Sequence, residues 1–545
     1  MSRYTLTIID TRNIQGYVYA TNNLKQNIGA SYNVACAAGK WVAEILPWPN
    51  NIEDIGKSEY TKDRIEDGKL AAEVLYAGGG NVVIIFKDRD YAVDFTKKYT
   101  TCILKRAPGM DFTVVHEDFD WDGQALTEVL KDLMKRSAVK KLDRCYSHPM
   151  LGAAVTAECT FSGLPATHLD KDGRLMSSEA WSKVNAAEEA EKNLSQPEGY
   201  ENFFYASEFS DIASTGNRSG YIGVVHIDGN GMSKRINTIR AKYKDSSGNR
   251  DFIDEMRSFS SDIQASVESA LQESMRHLIN SIDTDNFTHE GIIGNEIKIK
   301  KMEEKSETKE DPKYILPFRP IVMSGDDMTF VCDGRLALTL SQYFLSTLYE
   351  KRLPDNKPFC CRAGIAVVKS HYPFSRAYSL SEDLCASAKK YINEYKKDHP
   401  NEKQDICAMD WHFAVNGVLG GGMEEIRKRE YETTDSKDQE LCMRPIRVFP
   451  DGDDWRTWNV FSSLAYTFKT GDEWKDRHNK IIALREALRK GSDEVKNFLS
   501  LNNGIRLPEI INQRDMNKKG FQAGRCGYFD AIEAVDFFVK LEEGK

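Results

Sequence analysis

The 545-residue chain contains no Cys-x-x-Cys pair, although it carries 11 cysteines. That odd count, without paired spacing, excludes a disulfide framework and the usual two-plus-two zinc pattern. Cys36, Cys332, Cys360, Cys361, Cys385 and Cys407 fall inside apolar runs, the placement expected of reduced, buried thiols in a cytoplasmic protein. No apolar run approaches the length of a membrane span, so no membrane partner is expected. The opening "MSRYTLTIIDTRN" lacks the apolar core of a signal peptide and reads as a strand. A basic excess is also missing. Against 83 Asp and Glu stand 74 Lys and Arg, a net charge of −9, so any nucleic-acid contact would need a local patch.

What is present is an ordinary globular composition, 41% apolar and 29% charged, long enough for two to four domains. Residues 4–10 read as a strand, and 23–47 carry helical spacing at Leu24, Ile28, Val34, Ala38 and Val42. "EVLYAGGGNVVIIF" (73–86) reads as a hairpin turning at Gly78-Gly79-Gly80-Asn81. A helix near 90–106, a strand at 111–115 and a helix near 123–136 follow. The same order then recurs. "GYIGVVHID" (220–228) is a strand, helices fill much of 230–282, and "RPIVMSGDDMTFVC" (319–332) is a hairpin. After it come a helix (335–350), the strand "CCRAGIAVV" (360–368), a helix (376–396) and a last strand, "DICAMDW" (405–411). Strand, helix, hairpin, helix, strand, helix thus appears twice, and internal duplication is the simplest account. The polar stretch 283–313 reads as a flexible insertion. Beyond 415 a charged strand-like stretch leads into helices at 458–500 and 529–541.

Chemistry concentrates in the second unit. Asp228 ends an apolar strand and enters "DGNGMSK". Glycines let the backbone N–H groups from Gly229 through Asn230 and Gly231 to Met232 approach phosphates, and the helix start that follows favours anions. Asp326 and Asp327 sit at the tip of the hairpin "SGDDMTF". They could simply shape the turn. With Asp228 they could instead hold Mg²⁺ or Mn²⁺, two ions orienting the oxygens of a phosphoryl displacement. Asp228 and Asp326 are the first expected ligands; Asp327 comes next, because neighbours in extended chain point apart. Lys389, by spacing alone, reads as a solvated helix lysine.

"HIDGNGMSK", "SGDDMTFV", "RAGIAVVKSHYPFSRAYSLSEDLCASAKK" and "AMDWHF" resemble the second palm domain of the large, polymerase-like subunit of type III CRISPR effector complexes. "IQGYVYATNNLKQNIGAS" and "VLYAGGGNVVIIF" resemble its first, degenerate palm, and "CGYFDAIEAVDFF" its C-terminal helical region. The resemblance implies an α+β protein with two ferredoxin-like palms, similar to GGDEF-type cyclases, with antiparallel sheets and a helical C-terminal region. It divides the chain at 1–140 (first palm), 141–218 (linker with a degenerate zinc-knuckle-like segment), 219–415 (catalytic palm) and 416–545. The implied activity joins ATP through 3′–5′ linkages into a cyclic oligonucleotide messenger of CRISPR-type antiviral defence. The family's Gly-Asp-Asp carries over onto Gly325, Asp326 and Asp327, its strand Asp onto Asp228, and its helix Ala-Lys pair onto Ala388 and Lys389. Lys389 becomes a triphosphate ligand on that basis. Implied partners are a nucleoside triphosphate, guide or target RNA and other CRISPR effector subunits.

Departures from the family pattern qualify the picture. Ser324 replaces the first glycine of Gly-Gly-Asp-Asp. The family's frequent N-terminal His-Asp nuclease domain is absent from the sequence given, so no associated DNA cleavage is expected. Cys145 and Cys159 lack paired cysteines; His148 could replace one partner, but no fourth ligand is visible and zinc is not expected. The first palm keeps Asp10 but has Gly79, Gly80 and Asn81 where acids would be needed, so Asp10 reads as a turn-capping residue. His371 and Pro373 read as a strand-to-helix turn, His412 as a satisfied sheet histidine, and Trp455, Trp458 and Phe461 as helix packing. The alternative from another class is a non-catalytic architectural subunit that binds RNA or sibling subunits and keeps the palm as a scaffold.

Overall fold

In a computed structural model, the described residues are 3–55, 59–143, 155–194, 196–213, 220–284, 290–294, 296–302, 312–400, 405–414, 422–434, 439–449, 454–502 and 504–541. The chain is α+β. The first unit runs β1 (Arg3–Arg12), α1 (Ile14–Tyr19), α2 (Leu24–Ala38), β2 (Ala72–Gly78), β3 (Asn81–Phe86), α3 (Arg89–Arg106), β4 (Asp111–Asp120) and α4 (Leu126–Asp143). Its sheet has the order β2-β3-β1-β4, antiparallel throughout. Helix α5 (Ser178–Asn193) follows and packs along α2.

The second unit runs β5 (Tyr221–Gly229), α6 (Met232–Arg240), α7 (Asn249–Asn280), β6 (Phe318–Ser324), β7 (Asp327–Asp333), α8 (Ala337–Glu350), β8 (Cys361–Lys369), α9 (Phe374–Asp398) and β9 (Ala408–Ala414). The order β6-β7-β5-β8 repeats that of the first sheet, strand for strand. This is the ferredoxin-like arrangement that the family resemblance implies, and its repetition follows the doubled element order. One strand departs from the antiparallel rule: β9 joins β8 in parallel, because α9 carries the chain back across the sheet before β9 begins.

The sequence of β5 explains its place at the centre. Ile222, Val224, His226 and Asp228 alternate with Gly223, Val225 and Ile227, so one strand serves two faces. Val225 and Ile227 join a core with Met328, Phe330 and Phe344. Ile222 and Val224 join another with Val331, Ala366, Phe374 and Tyr378, and with Ile28 and Ala30 of the first unit. Helix α9 lies against β8 so closely that a Cβ on Gly364 would collide with the backbone of Ser381 and Cys385.

The two units are bolted together by charge as well. Glu73 on β2 is fully buried and faces Arg250 and Arg257 on α7, at 2.7 and 2.8 Å. Burial alone would raise its carboxyl, but the two guanidinium groups and the Ile65 N–H hold it below the usual range.

The stretch 283–313 differs from the expected loop. Its described residues form short strands, Ile282–Thr284, Gly291–Ile293, Ile297–Lys298 and Lys300–Lys301, the last pairing with Tyr314–Leu316. Ile293, Ile297 and Ile299 are buried, so alternating isoleucines supply an apolar side that the charge average hides. The expected charged strand after 415 is also corrected: Met423–Glu430 is a helix. Helices Trp458–Thr470, His478–Lys490 and Ser492–Leu501 make the C-terminal part mainly helical, with Trp458 and Phe461 packed inside it. No helix among the described residues is long and apolar enough to cross a membrane.

Candidate active site

The acids gather where β5 and the β6–β7 hairpin end. Asp228 lies opposite Asp327 on β7 and opposite Arg362 on β8. Cross-strand partners project to one face, so Asp228 and Asp327 share a side of the sheet. Asp326 occupies the turn. Its carbonyl accepts the Gly229 N–H at 3.0 Å, tying the tip of the hairpin to the end of β5. The turn closes in two residues because Gly325 takes a φ of 62°, the conformation a β-branched residue would resist.

The electrostatics are those of crowded carboxylates. Asp327 is pushed up to about 7 by burial and by the charges of Asp228, Asp326 and Glu382. Its side chain is 49% exposed, yet its Oδ1 is buried without a hydrogen bond, so one oxygen turns inward and the rest faces out. Asp326 is raised by burial and by Asp228. Burial raises Asp228 too, while Arg362 and Lys389 pull it back.

Several expected binding residues have other duties. The N–H of Gly229 is used by Asp326, and that of Asn230 donates to the Cys360 carbonyl at 2.8 Å. The Asn230 side chain, 9% exposed, donates to Ile406 O and accepts from Arg362. Both backbone amides are engaged in closing the strand end. Gly231, with a φ of 70° and open space around it, remains accessible at the start of α6. Ser324 pairs in register with Asp327 and accepts a 3.1 Å hydrogen bond from the Gly79 N–H. Lys389 is exposed on α9, and its charge reaches Asp228.

Arg362 was not expected. Its guanidinium pairs with Asp228 and donates to Gly229 O at 3.1 Å. An arginine in the apolar run "CCRAGIAVV" was the available signal, since a cation entering a buried strand needs an anion beside it. The pair also bears on the metal. Among the described residues no group of three His, Cys, Asp or Glu side chains is close enough to hold an ion by itself. The three acids therefore do not form a ready-made cage. A divalent cation beside Asp228, Asp326 and Asp327 would need phosphate oxygens and water to complete its shell, as Mg²⁺ prefers.

The first unit repeats this frame without the acids. Asp10 lies opposite Asn81 as Asp228 lies opposite Asp327, and the Gly79-Gly80 turn meets the Ser324–Asp327 hairpin. Asp10 caps no turn; it pairs with Lys141 of α4, a strand residue neutralised by the next helix. Cys145 and His148 lie outside the described residues. Cys159 is buried in a small cluster with Met176 and Ala180. A cavity of about 530 Å³ opens elsewhere, lined by Arg89, His116, Lys135, Arg136 and Lys140. Arg89, Lys135 and Arg136 are paired with Asp118, Asp132 and Glu117, so its size does not mark the chemistry.

Solved structures share this arrangement. A Csm1–Csm4 cassette in complex with cA4 superposes with a TM-score of 0.51 at 12% identity, covering 99% of this chain and 70% of that one. Csm1 from T.onnurineus gives 0.52 at 13%, with the same coverage. The Csm1–Csm4 subcomplex of the type III-A CRISPR-Csm interference complex gives 0.50 at 14%, again over 99% and 70%. The chain has the fold of Csm1. That agrees with the resemblance read from the sequence motifs. No protein-family profile and no curated protein matches the sequence.

Proposed function

We propose that the chain is a Csm1-like subunit of a CRISPR effector whose second palm is a nucleotidyl cyclase. It joins ATP through 3′–5′ bonds into a cyclic oligonucleotide. One observation carries the reading: Asp228 and Asp327 face each other across adjacent strands, with Asp326 beside them at the tip of the β6–β7 hairpin. A Csm1–Csm4 cassette in complex with cA4 shares the fold, which supports a cyclic oligoadenylate product and a sibling subunit as partner.

In this reading Asp228, Asp326 and Asp327 would hold Mg²⁺ or Mn²⁺, which supplies charge neutralisation on the triphosphate. Gly231 lets the phosphates approach the start of α6. Lys389 neutralises charge from the solvent side. Arg362 holds Asp228 in place before ligand arrives. The Gly79 hairpin of the first palm walls the site, where a second ATP would lie.

One observation favours a second reading. Arg362 already satisfies Asp228, as in a palm kept for architecture. Mass spectrometry of products from ATP and from GTP with Mn²⁺, with target RNA and sibling subunits supplied, separates the two. The cyclase yields a cyclic product that Asp326→Ala, Asp327→Ala abolishes. No turnover of either triphosphate leaves the architectural reading.

A further inference from the structure

Behind Asp327 lies a histidine that the proposed chemistry does not yet use. His226 sits two residues before Asp228 on the same face of β5 and is 7% exposed. Its register partners are Thr329 on β7 and Gly364 on β8, and the edge of its ring meets Tyr378 of α9 at 5.6 Å between centroids. Tyr378 in turn stacks on Tyr19 of the first palm, centroids 3.7 Å apart. His226 Nδ1 is 3.4 Å from Asp327 Oδ1, and each of these atoms is buried without a hydrogen bond.

Two unpaired polar atoms buried side by side are costly, because each has left water without gaining a full partner. Packing does not require them. A phenylalanine would meet Tyr378 equally well, and an apolar residue would suit Val224 on the same face. The two atoms need only a small rotation of the carboxylate to join. That rotation would fix Oδ1 inward and leave the exposed remainder of Asp327 facing outward. A neutral ring can carry its proton on Nδ1 and donate it.

We propose that His226 is a positioning residue for Asp327, donating from Nδ1 to Oδ1 so that the outer carboxylate oxygen is aimed at a nucleotide-bound divalent cation. This rests on the active-site reading above. The contact is of the kind that orients a metal-ligating side chain from behind, where loss of the partner costs about 10–100-fold in metal affinity. Tyr378 and Tyr19 hold the ring from the other side, which makes the first palm part of the support.

The test uses Mn²⁺ in the presence of ATP, with free ion followed by electron paramagnetic resonance, on the full chain and three variants. His226→Phe keeps the ring against Tyr378 and removes the donor. His226→Asn puts an amide N–H close to the place of Nδ1 and gives up the ring. Asp327→Ala removes the oriented carboxylate. The expected result is that Phe weakens Mn²⁺ binding about 10–100-fold, as alanine at 327 does, while Asn restores most of it. If Phe binds as the parent does, or Asn is the weaker of the two, His226 is only packing and the inference falls. If Asp327→Ala also binds Mn²⁺ like the parent, it is the active-site reading that fails. Thermal unfolding of each variant identifies any change that comes from misfolding.

Discussion

The Gly79 N–H donates a 3.1 Å hydrogen bond to Ser324 Oγ, so the tips of the two palm hairpins touch through the one residue that departs from Gly-Gly-Asp-Asp. A glycine at 324 has no atom to accept that bond. Ser324→Ala should therefore release the Gly79 amide while costing only about 0.5–1.5 kcal/mol. Hydrogen exchange across residues 78–81 checks this; unchanged protection would mean that the contact is incidental.

Arg362→Ala should destabilise the second palm by about 3 kcal/mol, the lower end for breaking a buried pair, since 34% of the Asp228 side chain is exposed. The substitution also strands Gly229 O and Asn230 Oδ1. Arg362→Lys should recover only part, because an ammonium cannot reproduce the fork that reaches all three oxygens. Urea unfolding of both variants measures the difference, and equal recovery by lysine would refute the geometric part of the argument.

Glu73→Ala should loosen the contact between palms, leaving Arg250 and Arg257 without their shared buried carboxylate, at about 3–5 kcal/mol. Because the carboxyl is held low in the folded chain, its contribution is present above the unfolded value and is lost as pH falls through the lower folded one. Stability at pH 7 should drop in the variant. The parent's added loss in strong acid, below about pH 4, should be smaller in the variant. Chemical denaturation at both pH values decides.

His116 and His412 predict a second acid response at milder pH. Burial and neighbouring cations push them down to about 4 and about 3, so both stay neutral in the folded state. The unfolded chain binds protons there near pH 6.5, so stability should fall as pH is lowered from about 6.5 towards 4. Melting temperatures of His116→Gln and His412→Gln should show a shallower slope over that window. A slope equal to the parent's would assign the response to other groups.

The sequence was most legible where a pattern has one physical meaning. Apolar alternation in "YIGVVHID" located β5 and put Asp228 at its end, and the doubled element order foretold two sheets of identical strand order. The Gly-Asp pair gave the turn, but adjacency in extended chain ranked Asp326 before Asp327 beside Asp228, whereas the register sets Asp327 opposite Asp228. Less legible was who uses each polar group. The Gly229 and Asn230 amides looked available because spacing cannot show that Asp326 O and Cys360 O lie within reach. Arg362 and His226 depend on register with strands more than a hundred residues away. Asp10 misled for a related reason: its partner Lys141 comes from the helix beyond the sheet, not from the local turn.

Helix α5 lies across α2 with almost no clearance. A single methyl group at Gly29 would run into the main chain at Lys183, whose ammonium in turn reaches Tyr17 O at 2.7 Å and Glu179. Anyone expressing the first palm alone should therefore cut after this helix rather than before it. A fragment ending near residue 140 would bare a greasy groove along α2 and invite precipitation.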